Sequence, residues 1–315
     1  MKKEFNPNNL RKLWFKITNK ERYKSYKRTY SHHKITSKLH VLVEAKLDTT
    51  IDEILFDSAK DTEINVFHSG NAGDIIYALP VMKKLYEISG KQINLLLKIG
   101  EPLTIGDGYE HPLGTVMLDE KMVANLFPLI AEQDYIHDMK IFDGEKIHLD
   151  LTLFRRAGFI LDKGEIGRWN FFTSGITPDL YEPWLKVKPN PDFAEYIVLA
   201  RSSRYNNAMI DHSFLAKYDK LIFVGVESEY VEMKKFIPNL KWRKVSDFLE
   251  LAGVIAGSKL FIGNQSFPYS VAEGLKAKRL LEVFYQAPNV IPAGKGGYDF
   301  CFQKHFEWLV KQFAG

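Results

Sequence analysis

Between residues 64 and 97 the apolar positions change their period twice. A run at 64–67 reads as a buried strand. From Ile75 the apolar residues recur at Leu79, Met82 and Tyr86, with Leu85 beside them, which is the spacing of a helix with one face turned inward, and after Gly90 a second apolar run at 93–97 reads as a strand again. Pro80 lies inside the helical stretch, lacks an N–H and crowds the carbonyl of Ile76, so a kink or a separate first turn is expected there. A short apolar run at 41–43 reads as a further strand. Strand, helix and strand in succession predict a parallel sheet covered by helices, with ligands at the carboxyl ends of the strands.

The pattern loosens over 101–190, where 121–132 reads as a helix, 147–153 as a strand and 154–161 as a helix. The prolines Pro178, Pro183, Pro189 and Pro191 then mark an interdomain linker. From residue 196 the alternation is clean: strands at 196–200, 221–224, 260–262 and 280–284, and helices at 212–218, 227–236, 245–256 and 268–275. The expected fold class is therefore α/β, with two Rossmann-type doubly wound domains: a basic arm over 1–38, a first domain over 39–190 and a second over 191–300. Residues 301–315 are expected to form a helix packing back on the first domain.

With 315 residues and 45% hydrophobic content the chain can bury two cores of ordinary size. Cys301 is the only cysteine, which excludes an intrachain disulfide and a multi-cysteine metal site and points to a reducing compartment. The first residues lack the apolar run of a signal peptide and no stretch of about eighteen apolar residues occurs, so no transmembrane segment and a cytoplasmic location are expected.

The formal charge of +4 is unevenly spread: residues 1–38 hold twelve Lys and Arg against Glu4 and Glu21, leaving the remainder net acidic. Tyr23, Tyr26, Tyr30, His32 and His33 are interleaved there with Lys20, Arg22, Lys24, Lys27, Arg28 and Lys34, as a surface that grips phosphates and stacks on bases would require. A helical extension lying on the protein's own acidic surface fits the same residues. Trp14 and Phe15 beside Leu10 and Leu13 also suit contact with an anionic membrane face.

Three segments carry candidate chemistry. In His68-Ser69-Gly70-Asn71-Ala72-Gly73-Asp74 a strand runs into a glycine loop and a helix. Gly70 and Gly73 remove Cβ atoms where a substrate would approach, the helix start favours anionic or hydroxyl-rich ligands, and Asp74 sits at the mouth as a candidate general base or simply an N-cap. His68 is a substrate contact or a structural residue. In Arg201-Ser202-Ser203-Arg204, directly after a strand, fork-shaped donors and hydroxyls suit a diphosphate, with a polar surface loop as the plain alternative. In Gly263-Asn264-Gln265-Ser266-Phe267-Pro268-Tyr269-Ser270, a strand ends at a glycine and Pro268 opens a helix. Glu273, one turn on and on the side of Tyr269 and Ser270, is a ribose acceptor or a solvated carboxylate. No Asp-x-Asp pair stands at a strand end and no His-Glu-x-x-His occurs, so no metal and no cofactor are expected. Lys295-Gly296-Gly297 reads as a loop.

Gly73-Asp74-Ile75-Ile76 through Pro80, taken with Gly263-Asn264-Gln265-Ser266 through Leu275, resembles the heptosyltransferase-like glycosyltransferases of family 9 and their GT-B fold, over roughly residues 64–285. The resemblance implies that Asp74 is the catalytic base and that Asn264, Gln265 and Ser266 occupy the family's Asp-Thr-Gly donor-phosphate element. Tyr269 stands where the family carries a histidine, and the implied donor is a nucleotide-sugar, usually ADP-heptose. The arm lies outside the resemblance.

The reading that follows is an inverting, metal-independent glycosyltransferase. Asp74 is the base, Arg201, Ser202, Arg204, Asn264, Gln265, Ser266, Tyr269 and Glu273 hold the donor, and His68, Gly70, Asn71 and Gly73 form the acceptor loop. The acceptor is a surface glycan or a hydroxylated base in nucleic acid, with an anionic surface contact through 1–38. The alternative is a catalytically silent binding module on the same fold.

Overall fold

A computed structural model describes residues 8–44, 50–103, 114–156 and 160–314, without the side chains of 38–44 and 156. Two helices come first, α1 (Asn9–Thr18) and α2 (Lys20–Glu44), each started by an asparagine side chain, Asn8 and Asn19, that accepts a backbone N–H. They form a hairpin in which Tyr26 is buried, its hydroxyl accepting from the Asn8 N–H at 2.7 Å. The strand expected at 41–43 is instead the end of α2. No Gly or Pro interrupts residues 20–44, so the helix propagates through an apolar run too short to hold a strand of its own.

The first sheet is built from β1 (Ile64–His68), β2 (Ile93–Leu97), β3 (Ile136–Ile141) and β4 (Leu149–Asp150), all parallel in the order β3-β2-β1-β4. Its helices are α3 (Ile51–Asp57), α4 (Ala72–Ser89), α5 (Glu120–Ala131), α6 (Leu153–Arg156) and α7 (Ile166–Ser174). Helix α4 runs through Pro80 and stops at Gly90, which adopts φ 69°. The strand expected at 147–153 shortens to β4. Of the helix expected at 154–161, α6 is the described part, since 157–159 lie outside the described residues.

The second sheet comprises β5 (Ile197–Ala200), β6 (Leu221–Phe223), β7 (Lys241–Trp242), β8 (Leu260–Asn264), β9 (Arg279–Glu282) and β10 (Gly297–Phe300), again all parallel, in the order β10-β9-β8-β5-β6-β7. Helices α8 (Glu227–Phe236), α9 (Phe248–Gly257), α10 (Phe267–Leu275) and α11 (Gln303–Ala314) accompany it. The helix expected at 212–218 is a short 3-10 turn, and Gly297, read as loop, opens β10.

In both sheets the chain first builds outward on one side of its initial strand and then returns to the other. The direction of winding therefore reverses between β1 and β4 and between β5 and β8, and a crevice opens there at the strand ends. One apolar cluster joins the units, with Ile76 and Leu79 of α4, Leu126 of α5, Leu251 of α9 and Val271 of α10 all buried in it. Helix α4 packs on α10 and α5 on α9.

The carboxyl-terminal helix does not return to the first domain. Phe306, Leu309, Val310 and Ala314 of α11 are buried with Ile197, Leu199 and Leu280 in a second cluster, and Phe306 stacks on Phe300 at 4.0 Å, because β10 delivers the chain to the face of its own sheet.

One part-buried acid near the junction couples stability to pH. Glu165 caps α7 by accepting from Gly167 and Arg168 N–H, and burial pushes its carboxyl up to about 7 despite those bonds. A carboxyl whose folded value lies above its unfolded one contributes stability below about pH 4.5 that fades as pH rises toward 7. The stability of the wild type relative to Glu165→Gln is therefore expected to fall between pH 4.5 and 7, by at most about 3 kcal/mol, as read from urea midpoints across that window. A gap independent of pH would refute this.

Candidate active site

The first half of the site lies at the β1/β4 reversal. Asp74, 8% exposed, is the third residue of α4, and its Oδ2 is crowded with donors. The Asn71 N–H reaches it at 2.8 Å, Asn71 Nδ2 at 3.3 Å, and Arg155 Nη2 forms an ion pair with it. No donor among the described residues reaches Oδ1. Asp74 is therefore both a helix-start residue and a carboxylate with one oxygen open.

Gly70 makes this packing possible. A Cβ there would stand 2.6 Å from His68 Cε1 and 2.8 Å from both Cβ and Oδ2 of Asp74, whereas one on Gly73 would meet only Ser270 Oγ at 3.8 Å and Phe267 Cα at 4.0 Å. Gly70→Ala is expected to destabilise the protein by about 1–3 kcal/mol through overpacking. Gly73→Ala, inside a helix with room for a methyl, should leave stability unchanged or raise it by up to about 1 kcal/mol. Equal denaturation midpoints for the two would contradict the geometry.

His68 is fully buried, and its Nδ1 accepts the Gly70 N–H at 2.9 Å, which assigns the proton of the neutral ring to Nε2, an atom without a partner. Burial brings the ring down to about 4, with Asp74 raising it and Arg155 lowering it in turn. The imidazole is thus neutral at ordinary pH. Arg155 escaped the sequence reading. It follows β4, which pairs with β1 so that Asp150 lies opposite Phe67, and this adjacency brings α6 to the Asp74 turn. An arginine just after a strand was the signal used for Arg201, and it marked Arg155 equally well.

At the β5/β8 reversal Ala200 pairs with Gly263, which sets the two candidate donor loops side by side. Asn264 binds them together: its Oδ1 accepts the Ser202 N–H at 2.9 Å and its Nδ2 donates to the Ser202 and Tyr205 carbonyls at 2.8 and 3.1 Å. Ser266 caps no helix N–H and turns its hydroxyl to the Asn264 carbonyl, at 3.2 Å. Arg204 lies over the Tyr205 ring, 4.7 Å from its centroid, and pairs with no carboxylate among the described residues.

Other expected donor ligands are committed to the fold. Arg201 forks onto Glu282, Nε to Oε2 at 2.7 Å and Nη2 to Oε1 at 2.8 Å. Burial opposes the charge on Glu282, but Arg201 and His212 still hold its carboxyl down at about 2. Gln265 spends its amide on Ala287, Asn289 and Phe284. Tyr269 is 1% exposed, and burial pushes its phenol well up. Glu273, read as a ribose acceptor, faces inward, where Oε2 takes Arg279 Nε at 2.5 Å and Oε1 takes Lys276 Nζ at 2.6 Å. Helix phase put it on the side of Tyr269 correctly, but that side is the core. A carboxylate the sequence reading missed, Glu229, reaches the Ser203 N–H at 3.4 Å, and burial lifts its carboxyl to about 7.

The two halves face each other. Gly73 lies beside the start of α10, and the Tyr205 phenol, raised first by burial, feels Arg204 and Asp162 and then Asp74 and Arg155 across the gap. Among the described residues no three His, Cys, Asp or Glu side chains gather as metal ligands, and no helix is long and apolar enough to cross a membrane.

No protein-family model and no curated protein matches the sequence. Solved structures do match. The glycosyl transferase family 9 protein from Veillonella parvula superposes with a TM-score of 0.51 at 11% identity, over 80% of this chain and 89% of that one. The chain has a GT-B-like fold. The E. coli heptosyltransferase WaaC with ADP gives a TM-score of 0.48 at 10% identity over 80% of this chain and 100% of that one, and E. coli ADP-heptose lps heptosyltransferase II gives 0.48 at 10% over 79% and 99%. Asp74 and Arg155 stand at the β1/β4 reversal, and Ser202, Arg204, Asn264 and Ser266 at the β5/β8 reversal.

Proposed function

We propose that the protein transfers a sugar from a nucleotide diphosphate donor to a glycan hydroxyl, with Asp74 as the general base. The observation that carries this is the open Oδ1 of Asp74, whose other oxygen is held by three donors, one residue after the Gly73 that lies beside the α10 start. The fold shared with the family 9 glycosyl transferase from Veillonella supports the reaction class.

In this reading the acceptor O–H donates to Asp74 Oδ1, its oxygen attacks the anomeric carbon, and the bond from that carbon to the diphosphate oxygen breaks. The leaving oxyanion gains charge as the bond lengthens, so donors fixed before the reaction stabilise the transition state more than the ground state. In this reading Arg204, the Ser202 hydroxyl and the N-terminal dipole of α10 take that task. Direct displacement inverts the anomeric centre. Glu229, which accepts the Ser203 N–H at 3.4 Å, suits a ribose hydroxyl.

The test is a panel of nucleotide diphosphate sugars offered with glycan acceptors and read by mass spectrometry. Transfer or donor hydrolysis supports the reading. Donor binding without turnover assigns a silent binding module, and neither binding nor turnover with any donor rejects the site.

A further inference from the structure

The amino-terminal hairpin presents a surface that the sugar-transfer reading does not use. Along α1, Leu10, Leu13, Trp14 and Ile17 follow the i, i+3, i+4, i+7 rule and share one face, yet they are 78, 54, 56 and 77% exposed. The opposite face is the one that packs: Phe15 meets Tyr26 of α2 edge-on at 6.1 Å. At 100° per residue, Arg11 and Lys16 flank the exposed stripe on its two sides. Glu21, the one acid of residues 8–37, is already paired with Lys24 at 2.8 Å.

We propose that α1 docks this protein on an anionic lipid bilayer, lying in the plane of the interface with Leu10, Leu13, Trp14 and Ile17 in the acyl boundary and Arg11 and Lys16 among the headgroup phosphates. Charge complementarity selects the occupant. A stripe of leucine, tryptophan and isoleucine edged by cations matches a surface that is apolar beneath and anionic above, and a tryptophan's amphipathic ring belongs at that depth. The same residues argue against a nucleic acid. Base stacking would need the arm's tyrosines, but Tyr26 is buried and stacked on Tyr30, Lys12 and Lys34 lie over the Tyr30 ring, and Lys27 lies over the Tyr23 ring. Tyr26 and Tyr30 of α2 are thus used inside the hairpin, while Trp14, the ring of α1 that faces out, lies in an apolar stripe. The inference stands whether or not the cleft transfers sugar.

Flotation of the full chain with vesicles tests it, using equal parts phosphatidylglycerol and phosphatidylcholine against phosphatidylcholine alone, at low and high salt. Expected is binding to the anionic vesicles that weakens with salt and falls about tenfold or more in Leu13→Ser/Ile17→Ser. Arg11→Gln/Lys16→Gln is expected to weaken it by roughly five- to twentyfold, since each cation near an anionic surface contributes separately. Because all four residues project from the hairpin, the melting temperature should be unchanged, which distinguishes lost docking from lost folding. Absence of vesicle binding, equal binding to neutral and anionic vesicles, or binding unaffected by the serine pair would each overturn the proposal. It also fails if an RNA oligonucleotide binds where vesicles do not, or if the serine pair abolishes self-association of a chain that ignores vesicles.

Discussion

Asp74→Asn is expected to lower sugar transfer by about 100-fold or more while leaving the fold and the affinity for the nucleotide donor close to wild type. Asn keeps the shape of the side chain, and its carbonyl oxygen can still accept from the Asn71 N–H at the helix start, so the cap largely survives. What it loses is an oxygen able to take a proton from the acceptor. It also loses the ion pair with Arg155, whose Nε is already buried without a partner. Arg155→Ala therefore separates two effects. If Arg155 merely orients the carboxylate, its removal lowers turnover less than Asp74→Asn does, and the double variant is no worse than Asp74→Asn alone, because the two residues act through one oxygen. Single-turnover assays at saturating donor would read both variants. Unchanged transfer by Asp74→Asn would reduce Asp74 to a helix-start residue.

The legible parts of this chain were those set by local periodicity. The β1–α4–β2 unit and the alternation from β5 onward follow from apolar spacing and terminal glycine or proline, and the turns at Gly70–Asp74 and Asn264–Ser266 follow from where those elements end. Strand order was not written locally. Arg155 meets Asp74 only because β4 returns to the far side of β1, a pairing between residues 81 apart in sequence. Likewise Glu282 claims Arg201 because β9 lies beyond β8, so a fork that looked free for a diphosphate is already filled. Short elements failed for a related reason. The two residues of β4 and the four of α6 are held by neighbours rather than by their own propensity, and the apolar triplet at 41–43 had no partner strand to make it one.

Arg279 carries the largest expected effect on stability. Its side chain is fully buried in β9, where Nε binds Glu273 at 2.5 Å, Nη2 the Ala293 carbonyl at 2.5 Å and Nη1 the Ala277 carbonyl at 3.0 Å. Glu273 in turn holds the Ala293 N–H at 3.1 Å and Lys276, so one ion cluster ties α10 to the segment that leads into β10. Arg279→Met replaces the stem with apolar volume but leaves the Glu273 carboxylate buried with only part of its neutralising charge. A loss of about 3–5 kcal/mol is expected, since breaking one side of a buried pair strands the other. Adding Glu273→Gln removes the stranded charge and should recover a measurable part of that loss, as charge stranding predicts and simple loss of packing does not. Glu273→Gln alone should lower the urea midpoint without changing donor affinity in the folded protein, because its carboxylate faces Arg279 rather than the cleft. An intact midpoint in Arg279→Met, or a donor affinity that drops with Glu273→Gln while stability holds, would return Glu273 to the nucleotide and take the cluster out of the core's support.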